Sequence, residues 1–225
     1  KFNRSWSRTR ANYNLFKAFL PLPSWEEAIS RKEELNLSTQ FMLQEGNLAW
    51  ANSYLETHEL SMKPFVCVHP GSMAKNKYRR WKQEYFVDII GMLKQNYPYR
   101  IIVIAGPDEL DVGEYISAKT GALLLTEKSL AHVAALISQC SFFINTDSGI
   151  GHIASCFRVL SLTIFGPGDE KQTAPFSPNS HIIRYETDCA PCVGKKKQHC
   201  EVECLSKLKP EIVFAKVTEL LASLE

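Results

Sequence analysis

The sequence predicts an α/β protein built on a doubly wound, mostly parallel sheet, preceded by a short helical segment. Three observations carry this. From Lys63 onward, short apolar runs alternate with amphipathic helical patterns, the pattern of βαβ units. The runs are apolar rather than alternating, as in strands covered on both faces. Most of them finish in a turn of glycine, proline or small polar residues.

Residues 1–23 are irregular: Lys1, Arg4, Arg8 and Arg10 lead to an apolar patch at Phe16–Leu20, then Pro21 and Pro23. Ser24-Trp25-Glu26-Glu27 has capping-box spacing and opens a helix. A second helical pattern buries Phe41, Leu48, Ala51, Tyr54 and Leu55. Residues 1–62 are therefore expected to be a linker with short helices, and 63–225 one α/β domain. In that domain Phe65–Val68 is a strand ending in His69-Pro70-Gly71-Ser72, and Trp81–Leu93 a helix with Phe86, Ile89, Ile90 and Leu93 inward. Arg100–Ala105 is a strand ending at Gly106-Pro107-Asp108, followed by a helix to about Lys119. Leu123–Leu125 is a third strand, and Ser129 caps a helix at Leu130–Ile137. Phe142–Ile144, Leu160–Phe165 and His181–Tyr185 complete the strands, and Pro210 opens a last helix.

The bulk numbers exclude several classes. The chain has 225 residues, 45% hydrophobic and 22% charged, ordinary globular proportions. A net charge of +2 argues for no nucleic-acid partner. No apolar run approaches the length of a membrane span. The seven cysteines are an odd number, and with no secretory signal read at Lys1 they point to a reducing compartment. Because the chain begins with Lys1 rather than Met, the expectation is a fragment or processed product.

The stretch Asn145-Thr146-Asp147-Ser148-Gly149-Ile150-Gly151-His152-Ile153-Ala154 is the most informative. It follows a strand and opens a helix, gathering Asp147, Ser148, Gly149 and His152 at the carboxyl end of the sheet, where open α/β folds bind ligands. A helix beginning at Ser148-Gly149 points free N–H groups and a partial positive charge outward, which suits phosphate. After Gly71-Ser72, the cations Lys75, Lys77, Arg79 and Arg80 add charge, and the Ser72 hydroxyl a donor. Asp108 and Glu109 could accept from ribose hydroxyls or serve only their helix start. Thr126-Glu127-Lys128-Ser129 lies where a base could slot, and Gly166-Pro167-Gly168-Asp169 closes the far side. No P-loop, dinucleotide fingerprint or nucleophile elbow occurs. The chemistry is binding of a nucleotide diphosphate, with no visible nucleophile.

In order and spacing, His69-Pro70-Gly71-Ser72, the basic segment before Trp81, Gly106-Pro107-Asp108-Glu109, Asp147-Ser148-Gly149-Ile150-Gly151-His152-Ile153-Ala154 and Phe165-Gly166-Pro167 resemble the bacterial heptosyltransferases of glycosyltransferase family 9. The resemblance covers about residues 63–225 well and 24–62 loosely. It implies the Rossmann-like C-terminal, donor-binding half of a GT-B enzyme. By analogy the donor site comprises Ser72, Arg79, Asp108, Glu109, Lys128, Asp147, Ser148, Gly149 and His152, with Arg79 stabilising the leaving nucleoside diphosphate and no catalytic metal. The family's usual lysine is Arg79 here, which keeps charge but changes reach; its usual proline after the tryptophan is Lys82.

The resemblance implies an inverting transfer of heptose or a related sugar from a nucleotide-diphospho-sugar, ADP-heptose foremost, to a lipopolysaccharide-core (lipid A-core) or other saccharide or protein acceptor. It also implies a bacterial cytoplasmic enzyme, with peripheral association at the inner face of the inner membrane and oligomerisation both compatible. The family's base lies in an N-terminal domain for which this chain has no room, so the expected alternative is a non-catalytic nucleotide-sugar-binding or assembly module.

Cys189, Cys192, Cys200 and Cys204 place four thiols in one loop, residues 189–204, with His199 a substitute ligand. The spacing suits a structural zinc or iron site, and two disulfides or free thiols stand as alternatives. Members of the resembled family often carry cysteines here, and some hold iron with them.

Overall fold

The computed structural model describes residues 24–30, 40–72, 74–127, 129–192 and 202–222. The cap at Ser24 forms as the sequence suggests, its Oγ accepting from the Glu27 N–H at 3.1 Å, and helix α1 runs Trp25–Ser30. Helix α2, Glu45–Thr57, buries Ala51 and Leu55. Leu48 is exposed and Phe41 lies ahead of the helix, because the chain is still extended at the N-cap, Gln44.

Six strands follow: β1 (Phe65–His69), β2 (Arg100–Ile104), β3 (Leu123–Leu125), β4 (Phe142–Thr146), β5 (Ser161–Ile164) and β6 (Ser180–Ile183). They form one sheet in the order β3-β2-β1-β4-β5-β6, and every pairing is parallel. The sheet is therefore parallel throughout, the doubly wound order in which the chain reverses direction across the sheet between β1 and β4.

The crossovers are helices α3 (Gln83–Asn96), α4 (Leu110–Thr120), α5 (Leu130–Ile137) and α6 (Gly149–Cys156). Short helices α7 (Glu170–Thr173) and α8 (Glu203–Ser206) precede the final helix α9 (Pro210–Ala222). The α3 helix starts two residues later than the apolar pattern suggests, because Lys82 is extended (φ −63°, ψ 137°) and Trp81 turns into the core. Its indole is 2% exposed, lies edge-on to Phe86 and donates through Nε1 to the Leu208 carbonyl at 2.8 Å. That bond ties the basic loop to the segment entering α9. Helix α4 ends at Gly121, whose φ of 63° is left-handed and so favours glycine.

Both faces of the sheet are covered. On one, Val66, Val68, Val103 and Ile144 pack with residues of α3, α4 and α9. On the other, Cys67, Ile102 and Phe143 pack with Val133 and Leu136 of α5, Ala154 of α6 and Leu55 of α2. Helix α2 thus shares a core with the sheet. No helix among the described residues is long and apolar enough to cross a membrane.

Candidate functional site

A cleft of about 690 Å³ opens at the carboxyl ends of β1, β2 and β4. Ser72 and His69 from β1 and its turn, Gly106–Glu109 after β2, and Ser148 and Gly149 at the start of α6 supply its polar walls. Its apolar wall comes from Phe41, Leu130, Val133, Ile150 and Ile153. The structure thus brings Ser72, Asp108, Glu109, Ser148 and Gly149 to one cavity. Lys128, the remaining donor-site candidate of that region, lies outside the described residues, as do Cys200 and the Lys195–Lys197 run.

The start of α6 is open. Ser148 is its extended N-cap, yet its hydroxyl caps nothing and is buried with no hydrogen-bond partner among the described residues. A Cβ built at Gly149 meets nothing within 4 Å. The first turn of a helix carries unpaired N–H donors, and in this one Ser148, Gly149 and Ile150 line the cleft.

Beside this turn, Arg79 Nη1 donates to Asp147 Oδ2 at 2.8 Å. Asp147 is 7% exposed on its side chain and Arg79 26%. Burial pushes the Asp147 carboxyl above the ordinary carboxylate range, against the pull of Arg79 and of His152 one turn into α6. His152 itself is exposed. Arg79 uses one Nη toward Asp147, and its Nε is buried without a partner among the described residues, so the guanidinium has donors to spare. Gly168 fits against this pair because a Cβ there would stand 2.3 Å from Asp147 Oδ2. Neither Arg79 nor Asp147 lines the cleft itself; they stand at its Ser148 end.

Glu109 faces inward, not toward solvent. It is 5% exposed, accepts from the Gly106 N–H at 3.0 Å, and lies 3.6 Å from Arg80 Nη2 and 3.9 Å from His69 Nε2. His69 Nδ1 is 3.0 Å from the Ile104 carbonyl, which can only accept, so that nitrogen carries the proton. Burial holds the His69 pKa below the usual histidine value, despite Glu109, and the ring is neutral. Asp108 stands at the cleft wall with its carbonyl taken by Arg80.

Two contributors carry weak signals in sequence. Arg184, at the end of β6, donates through Nη2 to the Gly166 and Gly168 carbonyls at 2.8 and 3.3 Å and pairs with Glu170, holding the turn after β5. Leu130, the first residue of the helix that Ser129 caps, is half exposed and lines the cleft.

The Cys192 N–H donates to the Pro167 carbonyl at 2.9 Å, which places Cys192 against the Gly166–Gly168 turn. Cys189 and Cys192 are half-buried, whereas Cys204 is fully buried in the apolar cluster with Trp81 and Leu205. Among the described residues no three His, Cys, Asp or Glu side chains converge as a metal ion requires.

These features define a doubly wound, parallel α/β domain with an open helix start at its switch point. The chain belongs to glycosyltransferase family 9, the heptosyltransferases, whose model matches residues 12–203. It is 26% identical over 165 residues to lipooligosaccharide heptosyltransferase 2 of Campylobacter jejuni, covering 70% of this chain and 52% of that protein. The chain thus spans about half the length of the curated relatives it matches. In fold it matches the E. coli ADP-heptose LPS heptosyltransferase II with a TM-score of 0.66 at 20% identity, covering 82% of this chain and 54% of the other. It also matches dodecameric iron-containing TibC in complex with ADP-D-β-D-heptose, with a TM-score of 0.57 at 19% identity, covering 72% and 46%.

Proposed function

We propose that this chain forms the donor-binding half of a heptosyltransferase-like glycosyltransferase that takes a nucleotide-diphospho-sugar, ADP-heptose foremost, and passes the sugar to a lipopolysaccharide-core acceptor. The single observation that carries the reading is the open first turn of α6 beside the Arg79–Asp147 pair. Two linked phosphates need several donors and a cation in one place, and this crest supplies them. Relatives named lipooligosaccharide heptosyltransferases, and solved relatives named for ADP-heptose, support the choice of donor and acceptor.

In this reading the nucleoside lies along the cleft between the crests of β1 and β2 and the start of α5. The diphosphate lies over Ser148 and Gly149. Arg79 exchanges Asp147 for a phosphate oxygen, so its charge meets the negative charge that grows on the leaving nucleoside diphosphate as the glycosidic bond breaks. Asp147, released from the pair, faces the sugar. His152, exposed one turn along α6, adds a donor on the same side. Activation of the acceptor hydroxyl is assigned to no residue of this crest.

The same site would also serve a nucleotide-sugar-binding module without transfer. Calorimetric titration with ADP, ADP-heptose and AMP tests the shared claim: both diphosphates bind, and AMP binds more weakly. A folded sample with no affinity for either diphosphate overturns it. Release of ADP on mixing ADP-heptose with a heptose-deficient lipopolysaccharide acceptor then separates the transferase from the module.

A further inference from the structure

Arg80 precedes the buried Trp81 and has partners different from those of Arg79. Its side chain is 10% exposed, and it lines no part of the cleft. Nε donates to the Ser72 carbonyl at 3.2 Å, and Nη2 reaches that same carbonyl and the Asp108 carbonyl at 2.8 Å. The same nitrogen faces Glu109 Oε2 at 3.6 Å. Glu109 in turn holds the Gly106 N–H, and Gly71 packs so closely on it that a Cβ there would stand 2.4 Å from its carboxyl carbon. One guanidinium and one carboxylate therefore clamp the loops after β1 and β2 together. These loops carry Ser72, Gly106 and Asp108, which do face the cleft.

We propose that Arg80 is a positioning residue for the nucleotide: it joins the crests of β1 and β2 into one preformed wall and does not touch the ligand. The inference rests on the nucleotide-binding reading above. With its ring proton spent on Ile104 and its charge suppressed by burial, His69 leaves Arg80 as the cation that balances the buried Glu109. A lysine would keep the charge but, as a compact ammonium on a flexible stem, it does not reproduce the planar fork that spans both carbonyls.

The test compares ADP with adenosine, which lacks phosphate, by calorimetry and ligand-observed NMR on wild type, Arg80→Gln, Arg80→Lys and Arg79→Gln. A wall-former serves the nucleoside, so Arg80→Gln weakens ADP and adenosine by the same factor, about tenfold or more. Arg80→Lys recovers part of this. Arg79→Gln weakens ADP and leaves adenosine unchanged. A purely structural role lowers the melting temperature while the folded fraction binds both ligands as wild type, and this overturns the inference. So does a loss in Arg80→Gln confined to ADP, which makes Arg80 a direct phosphate ligand. Failure of both Arg80 variants to fold also overturns it, as the residue is then a folding determinant. Wild type that binds neither ligand overturns the nucleotide reading itself, and the inference falls with it.

Discussion

Gly149→Ala separates the roles of the α6 turn with one methyl group. Nothing stands within 4 Å of the added Cβ, and no left-handed φ is needed at this residue. The fold therefore accepts alanine, and lower backbone entropy in the unfolded chain moves stability upward by between zero and about 1 kcal/mol. The ligand does not accept it. A phosphate oxygen about 2.9 Å from the first helical N–H groups would lie against the new methyl. Forcing such overlap costs about 1–3 kcal/mol, roughly five- to hundredfold in Kd. Thermal unfolding and ADP titration of the same preparation read both quantities. Stability and affinity move in opposite directions. An alanine variant that is as stable as wild type and binds ADP as tightly would falsify the placement of phosphate on this turn.

Three further outcomes follow from other contacts. Arg79→Gln removes the cation at 2.8 Å from Asp147; loss of a charge-assisted bond weakens ADP binding about ten- to hundredfold by calorimetry, and unchanged affinity contradicts the leaving-group role. Gly151→Ala puts a Cβ 2.4 Å from Asn145 Nδ2, inside a fully buried layer, and lowers stability by about 1–3 kcal/mol in denaturant unfolding; a neutral result contradicts the packing described. His69 is buried with its folded pKa below 6.5, so below pH 6.5 the unfolded chain binds more protons than the folded one. Stability therefore falls as pH drops through 6.5, by up to about 1.4 kcal/mol per pH unit; His69→Gln flattens that slope, and an identical slope in both proteins contradicts a buried neutral ring.

Most of the fold is legible in the residues themselves. All six strands come from apolar runs, and the Leu130–Ile137 helix with its Ser129 cap stands where periodicity and capping place it. These signals are local, set by residues a few positions apart. The distinctions that failed to show depend on distant partners. Phe41 follows helical spacing with Ala51 and Leu55, yet the chain is extended before Gln44 and the ring reaches the cleft. Glu109 and Asp108 look equivalent in sequence, but Arg80, twenty-nine positions before Glu109, draws that carboxylate inward. The service of Arg184 to the Gly166–Gly168 turn likewise depends on β6 lying beside β5. Ser72, Asp108, Glu109, Ser148 and Gly149 are legible as neighbours because each closely follows a strand, and parallel strands bring their carboxyl ends to one edge.

The most direct measurement is a crystal structure of the protein with ADP bound. The expected result is both phosphates within hydrogen-bond distance of the backbone N–H groups at Gly149 and Ile150, with Arg79 turned from Asp147 to a phosphate oxygen. ADP seated away from α6, with the Arg79–Asp147 pair intact, contradicts it.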